Sequence, residues 1–260
     1  MPFTNKSGVA IHYETEGHFK NPPLLFVHGN GNCLDDWYKL GFVEKLCPYF
    51  YLILIDMRGF GESDKPIHFS MYTAELVIRD IIAVLDELNI PSVHYFGNSR
   101  GGSLAFAAAK WYPHRFLSYL IGSAQPFGRD EPQLADSYVA WLSQGMSFFV
   151  HQVEKALGKP FPSGVRENYL RNNPLAMIAV NQAQTDWPNN SDCFINNKTP
   201  RTLLYGELDE LAPLNQRYAA QDPICESIIF KGLTHAQTYW NSNIVAPAII
   251  DFIKRHYPEF

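Results

Sequence analysis

The sequence predicts an α/β protein: a mostly parallel sheet, helices on both of its faces, and one helical insertion. Three observations carry this expectation. Short apolar runs alternate with helix-patterned segments, the rhythm of successive βαβ units. One of these runs, "YLILID" at 51–56, is apolar at nearly every position, as a strand buried on both faces requires. The alternation stops after Gly122 and returns at Arg201, leaving a long stretch of helical pattern between. The core is therefore expected from 1–122 and 199–260, with 123–198 as the insertion.

Taken in order, "AIHYETEG" (10–17) and "PPLLFVHG" (22–29) read as strands, the second short, buried and ended by glycine. "DDWYKLGFVEKLC" (35–47) has the spacing of an interrupted amphipathic helix. The clearest helix lies within 70–90, where Val77, Ile81, Val84, Leu85 and Leu88 form one stripe and Ser70 is the expected N-cap. Pro91 marks its exit, and "SVHYFG" (92–97) is the next strand. An alanine-rich helix to Lys110 or Trp111 is stopped by Pro113, and "RFLSYLIG" (115–122) follows as a strand. After the insertion come strands at "RTLLYG" (201–206) and "ESIIFKG" (226–232), then a terminal helix in 243–257.

The totals narrow the class. The chain has 260 residues, 46% hydrophobic and 18% charged, enough for a large core and unlike a disordered segment. A net charge of -5 without a long basic run gives no footprint for nucleic acid or an anionic membrane surface. The start lacks the pattern of a secretory leader, and no apolar run approaches the roughly 20 residues of a membrane span. Cys33, Cys47, Cys193 and Cys225 are scattered without CxxC or metal-ligand spacing. A cytoplasmic protein with free thiols, acting on a small molecule without metal or organic cofactor, is the expectation; oligomeric state is not encoded in any recognisable pattern.

Chemistry concentrates at Gly97-Asn98-Ser99-Arg100-Gly101, a G-x-S-x-G between an expected strand and an expected helix. A serine on such a sharp turn is lifted above the carboxyl edge of the sheet, with the helix N-terminus aimed at the reaction centre. Its hydroxyl needs a base, and the base an orienter. "FKGLTHAQ" places His235 just past a strand; His12, His151 and His256 lie in a strand, the insertion and the terminal helix. "LLYGELDELAP" offers Glu207, Asp209 and Glu210 as orienters, and the GxxD spacing from Gly206 selects Asp209. For a developing oxyanion, the loop "HGNG" after the second strand offers the main-chain N–H of Asn30, and the elbow that of Arg100. Losing one such donor typically costs about 3–4 kcal/mol of transition-state stabilisation.

The order "HGNG", "DMRGFGESD", "GNSRGG", "GELD" and "TH", with these gaps, resembles the α/β-hydrolase superfamily over nearly the whole chain. The resemblance implies Ser99 as nucleophile, Asp209 as acid, His235 as base, and the main-chain N–H groups of Asn30 and Arg100 as the oxyanion hole. It implies that Asp56 to Ser63 is a structural turn and that 123–198 is a cap roofing the site, with 125–149 offering apolar and aromatic lining. The expected activity is hydrolysis of a small or medium carboxylic ester or thioester through an acyl-enzyme. A serine at the elbow speaks against epoxide-hydrolase and dehalogenase chemistry, which uses aspartate there. "GNS" and "GFGESD" also resemble hydrolases that cleave C–C bonds of ring-fission products. Against that subfamily, the glycine-rich segment after His28 differs, Arg100 replaces the usual methionine, and Ala236 stands where tryptophan is frequent. A non-catalytic small-molecule receptor on the same fold is the remaining alternative. Two roles are open for the Arg100 side chain: gripping a substrate carboxylate, or turning away to pair with an acidic neighbour. The second is favoured, because the residue after such a nucleophile commonly points away from the substrate.

Overall fold

A computed structural model describes residues 2–126, 132–194 and 197–259, and of 132–135 only the backbone. Among the described residues eight strands are formed: β1 (Phe3–Thr4), β2 (Ile11–Glu16), β3 (Pro23–Val27), β4 (Tyr51–Ile55), β5 (Val93–Asn98), β6 (Phe116–Gly122), β7 (Arg201–Gly206) and β8 (Cys225–Phe230). They make one sheet in the order β1-β2-β4-β3-β5-β6-β7-β8. β2 pairs antiparallel with β1 and with β4, and every other pair is parallel. The short connection from β1 to β2 permits only a hairpin, whereas parallel neighbours need a crossover.

Period-two alternation divides the strand side chains between two apolar layers. Leu25 and Val27 of β3, with Ile53 and Ile55 of β4, join one layer; Leu24, Phe26, Leu52 and Leu54 join the other. The second layer is closed by α1 (Asp35–Lys39), α2 (Phe42–Leu46) and α11 (Ser242–His256), through Trp37, Phe42, Ile249 and Phe252. The first is closed by α3 (Ala74–Glu87) and α4 (Arg100–Trp111), through Val77, Ile81, Leu104 and Phe106. Between β6 and β7 lie α5 (Pro132–Leu142), α6 (Met146–Leu157), α7 (Ser163–Arg171) and α8 (Pro174–Thr185); α9 (Ala212–Gln221) and α10 (His235–Trp240) follow β7 and β8.

One local expectation is corrected. The helix expected from Ser70 begins at Ala74: residues Phe69–Tyr72 form a 3₁₀ turn, and Thr73 caps α3 by accepting from the Leu76 N–H at 3.3 Å. The interruption expected within 35–47 falls at Gly41, whose φ of 76° ends one helix and starts the next. The four cysteines are free thiols. Among the described residues no helix is long and apolar enough to cross a membrane.

The run from Asp56 to Ser63 is a tie between segments. The buried Asp56 carboxylate accepts from His12 Nδ1 at 2.8 Å, the Leu34 N–H at 2.8 Å and the Glu62 N–H at 2.9 Å. Arg58 makes a two-pronged ion pair with Asp80 of α3, at 2.5 and 2.6 Å, in the interior. The sheet reverses its winding at β3, since β4 lies on one side of it and β5 on the other. The crevice at the carboxyl ends of β3 and β5 is where such folds place their ligands.

Candidate active site

Ser99 occupies that crevice. It is the single residue between β5 and α4, with φ 53° and ψ -117°. A positive φ at a residue other than glycine typically costs about 1–3 kcal/mol and persists only where surroundings enforce it. Here the Ser99 N–H donates to the Gly122 carbonyl at 2.7 Å, and its own carbonyl accepts from Ser103 N–H at 2.9 Å. The flanking glycines answer to close approach. A Cβ on Gly97 would lie 2.3 Å from the Gly101 carbonyl oxygen, and one on Gly101 2.2 Å from that of Val27. The G-x-S-x-G spacing is thus a steric requirement of passing α4 this near the sheet.

His235 is the first residue of α10, and its place is set by a capping box: the Thr234 hydroxyl accepts from Gln237 N–H, and the Gln237 side chain accepts from Thr234 N–H. Asp209, in the loop after β7, is fixed by the Leu211 N–H donating to its Oδ1 at 2.9 Å. His235 Nδ1 lies 3.3 Å from Asp209 Oδ1 and 3.2 Å from Oδ2. A carboxylate can only accept, so Nδ1 carries the proton and Nε2 of the neutral ring keeps its lone pair. Burial pushes the Asp209 carboxyl up, but the hydrogen bond and charge of His235, the Leu211 N–H and the Ser123 hydroxyl outweigh it and hold the carboxyl below its usual range. The neighbouring acids do other work: Glu207 accepts from Gly232 N–H at 2.9 Å, and Glu210 is exposed at the rim.

Ser99 and His235 line one cavity of about 560 Å³. Its floor includes Gly29 and Asn30 of the loop after β3, where a Cβ on Gly29 would meet Ser99 Cβ at 3.4 Å. Tyr138, Phe149, Leu157, Phe161 and Trp240 make much of its wall apolar. Of the stretch 125–149 expected to line it, Gln125, Tyr138 and Phe149 do so, and 127–131 lie outside the described residues. A smaller cavity of about 240 Å³, lined by His12, Glu14, Asp56 and Glu62 among others, takes in neither Ser99 nor His235.

The buried Arg100 side chain turns into α8. Nη1 donates to Gln184 Oε1 at 2.9 Å and to the Val180 carbonyl at 3.4 Å, and the guanidinium stacks 4.3 Å above the Trp187 ring. These partners, a side-chain amide, a main-chain carbonyl and an indole ring, are neutral. Asp209, Glu210 and His235 form the metal-capable group found among the described residues, with ligand atoms within 4.8 Å of one another. In it Nδ1 and the Asp209 carboxylate already face each other, the arrangement of an oriented imidazole rather than an open ligand set.

Sequence reasoning did not find the contributions of α7 and α8. Tyr169 and Gln184 line the cavity, and Asn172 and Asn181 bind the loop at its edge. These contacts join residues more than 130 positions apart, and no local pattern announces them.

Residues 22–147 match the family described as the alpha/beta hydrolase fold. Epoxide hydrolase 3 of Mus musculus is 27% identical over 127 residues, 48% of this chain and 34% of that protein, so the match spans about a third of the relative's length. The putative 2-succinyl-6-hydroxy-2,4-cyclohexadiene-1-carboxylate synthase of Bacillus subtilis (strain 168) is 28% identical over 189 residues, 67% of this chain and 68% of that one. A solved structure from work on carboxylesterases of Nitrososphaera gargenis superposes with a TM-score of 0.86 at 18% identity, covering 100% of both chains. The chain has the α/β-hydrolase fold.

Proposed function

We propose that the protein is a serine hydrolase of small or medium carboxylic esters or thioesters, with a core of 1–122 and 199–260 and a cap of 123–198. Family and relatives support hydrolase chemistry in general. The serine mechanism is carried by one observation: Ser99, at an enforced positive φ on a strand-to-helix turn, shares a cavity with a histidine whose Nδ1 faces a buried carboxylate. The relatives' names span different reactions, and the elbow serine is what separates this chain from epoxide opening.

In this reading Ser99 Oγ attacks the carbonyl carbon while His235 Nε2 takes its proton. Asp209 holds the imidazole tautomer and stabilises the imidazolium. Negative charge on the former carbonyl oxygen is met by the main-chain N–H groups of Asn30 and Arg100, the second at the first turn of α4. The imidazolium returns its proton to the leaving alcohol or thiol. Water, deprotonated by His235, then cleaves the acyl-enzyme and releases the acid. The cavity volume suits an acyl chain of modest length against the apolar wall.

The test is a panel of p-nitrophenyl esters, acyl thioesters and a coloured dienol diketone, run with the wild type and Ser99→Ala. Acid release from esters or thioesters, abolished in the variant, is expected. Faster bleaching of the dienol than cleavage of any ester would move the assignment to C–C hydrolysis. Tight binding without product would make the protein a receptor.

A further inference from the structure

The loop that would supply the Asn30 N–H contains Gly29 and Gly31, and glycine leaves a backbone free to rotate. Three successive carbonyls of this loop are nonetheless each held by a side chain. His28 Nδ1 lies 2.8 Å from the Gly29 carbonyl oxygen. Its other ring nitrogen, Nε2, accepts from the Met57 N–H at 3.1 Å, so Nδ1 carries the hydrogen and donates. The next carbonyl, of Asn30, accepts from the Tyr169 hydroxyl at 2.6 Å. The third, of Gly31, accepts from Asn172 Nδ2 at 2.7 Å. The first of these bonds comes from the core, and the other two come from α7 and its C-cap residue, in the helical segment above the sheet. Gly31 has φ 80°, and a Cβ there would lie 2.4 Å from Tyr169 Cε1, so the ring is seated directly on the loop.

We propose that Tyr169 and Asn172 are positioning residues of the oxyanion hole; this rests on the serine-hydrolase reading above. The peptide joining Gly29 to Asn30 carries the N–H that would face the oxyanion and the carbonyl that His28 holds. Rotating that N–H out of line requires compensating rotation in the next two peptides, whose carbonyls are anchored to α7. Preorganised donors lower a barrier because they need no reorganisation as charge develops. The catalytic geometry of the floor is therefore completed by two residues of the roof. The same helix offers a control: Asn168 donates to Asp36 Oδ1 at 2.6 Å and accepts from Lys39 at 2.9 Å, anchoring α7 without touching the loop carbonyls.

The experiment compares Tyr169→Phe, Asn172→Ala and Asn168→Ala with wild type, in ester kinetics and in the rate of Ser99 labelling by a fluorophosphonate. Thermal melting checks that each variant is folded. Tyr169→Phe keeps the ring and removes only the hydroxyl, so it guards against misfolding in Asn172→Ala. Since deleting a donor outright costs about 10²–10³ in kcat, misaligning one is expected to lower kcat and the labelling rate by about 10- to 100-fold with KM within about twofold. Asn168→Ala is expected to lower the melting temperature while labelling stays near wild type. Unchanged labelling in both loop-facing variants overturns the proposal and leaves the serine reading standing. So does an equal loss in Asn168→Ala, because simple anchoring would then account for the effect. A folded wild type whose Ser99 takes no label overturns the serine reading and this proposal with it.

Discussion

The floor and the roof of the cavity are built by different means. On the floor, Ser99, Asp209 and His235 are placed by local devices that close on nearby main chain: an enforced elbow, an Asx-type turn and a capping box, each spanning a few residues at the end of a strand. The roof, α5 to α8, is joined to the floor by side-chain amides and hydroxyls reaching across the fold. These are Asn168 to Asp36, Tyr169 to Asn30, Asn172 to Gly31, Asn30 to Asn181, and Arg100 to Gln184. Local devices at strand ends tie these residues to the sheet itself. Side-chain ties can be exchanged one at a time without altering the sheet.

The comparison is broken most sharply at the floor. Ser99→Ala or His235→Ala is expected to lower turnover by about 10⁴- to 10⁶-fold at an unchanged melting temperature, read by steady-state kinetics and thermal denaturation. Asp209→Asn is expected to cost about 10⁴-fold, since the amide would offer Nδ1 the wrong tautomer partner. Glu207→Gln and Glu210→Gln should stay within a few-fold; near-full activity in Asp209→Asn with loss in either neighbour would reassign the orienting acid.

Ties between floor and roof should be read in stability. Burial pushes the Asp36 carboxyl up to about 6 from 3.8, against the hydrogen bonds of Asn168, Asn32 and the Cys33 N–H and the charge of Lys39. Between about pH 4 and 6 the folded state then holds a proton that the unfolded chain has released. Raising pH through this window therefore costs stability, on the order of 3 kcal/mol from this group. Unfolding followed against pH should show a shallower loss over that window in Asp36→Asn; an unchanged slope would remove Asp36 from the balance. Arg100→Met leaves Gln184 and the Val180 carbonyl without their donor and Trp187 without its stacked cation. A loss of about 1–3 kcal/mol, or roughly 3–10 °C in melting temperature, is expected. The preference between acidic and neutral esters should not move, because the N–H assigned to the oxyanion belongs to the main chain. A lost preference for acidic esters would place the guanidinium on the substrate.

This same division explains what could be read from the sequence. Strands such as "YLILID" announce themselves because both faces are buried, and Ser99 because glycines must flank it where α4 passes the sheet. Asp209 separated from Glu207 and Glu210 by its spacing from Gly206, a local property of the turn. The N-cap of α3 was displaced by three residues, since Ser70 and Thr73 both have the chemistry and only the 3₁₀ turn before Ala74 decides between them. Tyr169, Asn172 and Gln184 were illegible: a tyrosine, an asparagine and a glutamine in or at the end of helices gain their meaning from the loop after β3 and from Arg100, more than 80 residues away.

The most direct measurement is fluorophosphonate labelling of the full chain, with the modified residue located by mass spectrometry and His235→Ala as the control. A stoichiometric adduct on Ser99, slowed by orders of magnitude in the control, is the expected result. No adduct on the folded protein, or an equal rate in His235→Ala, would contradict a serine activated by its histidine.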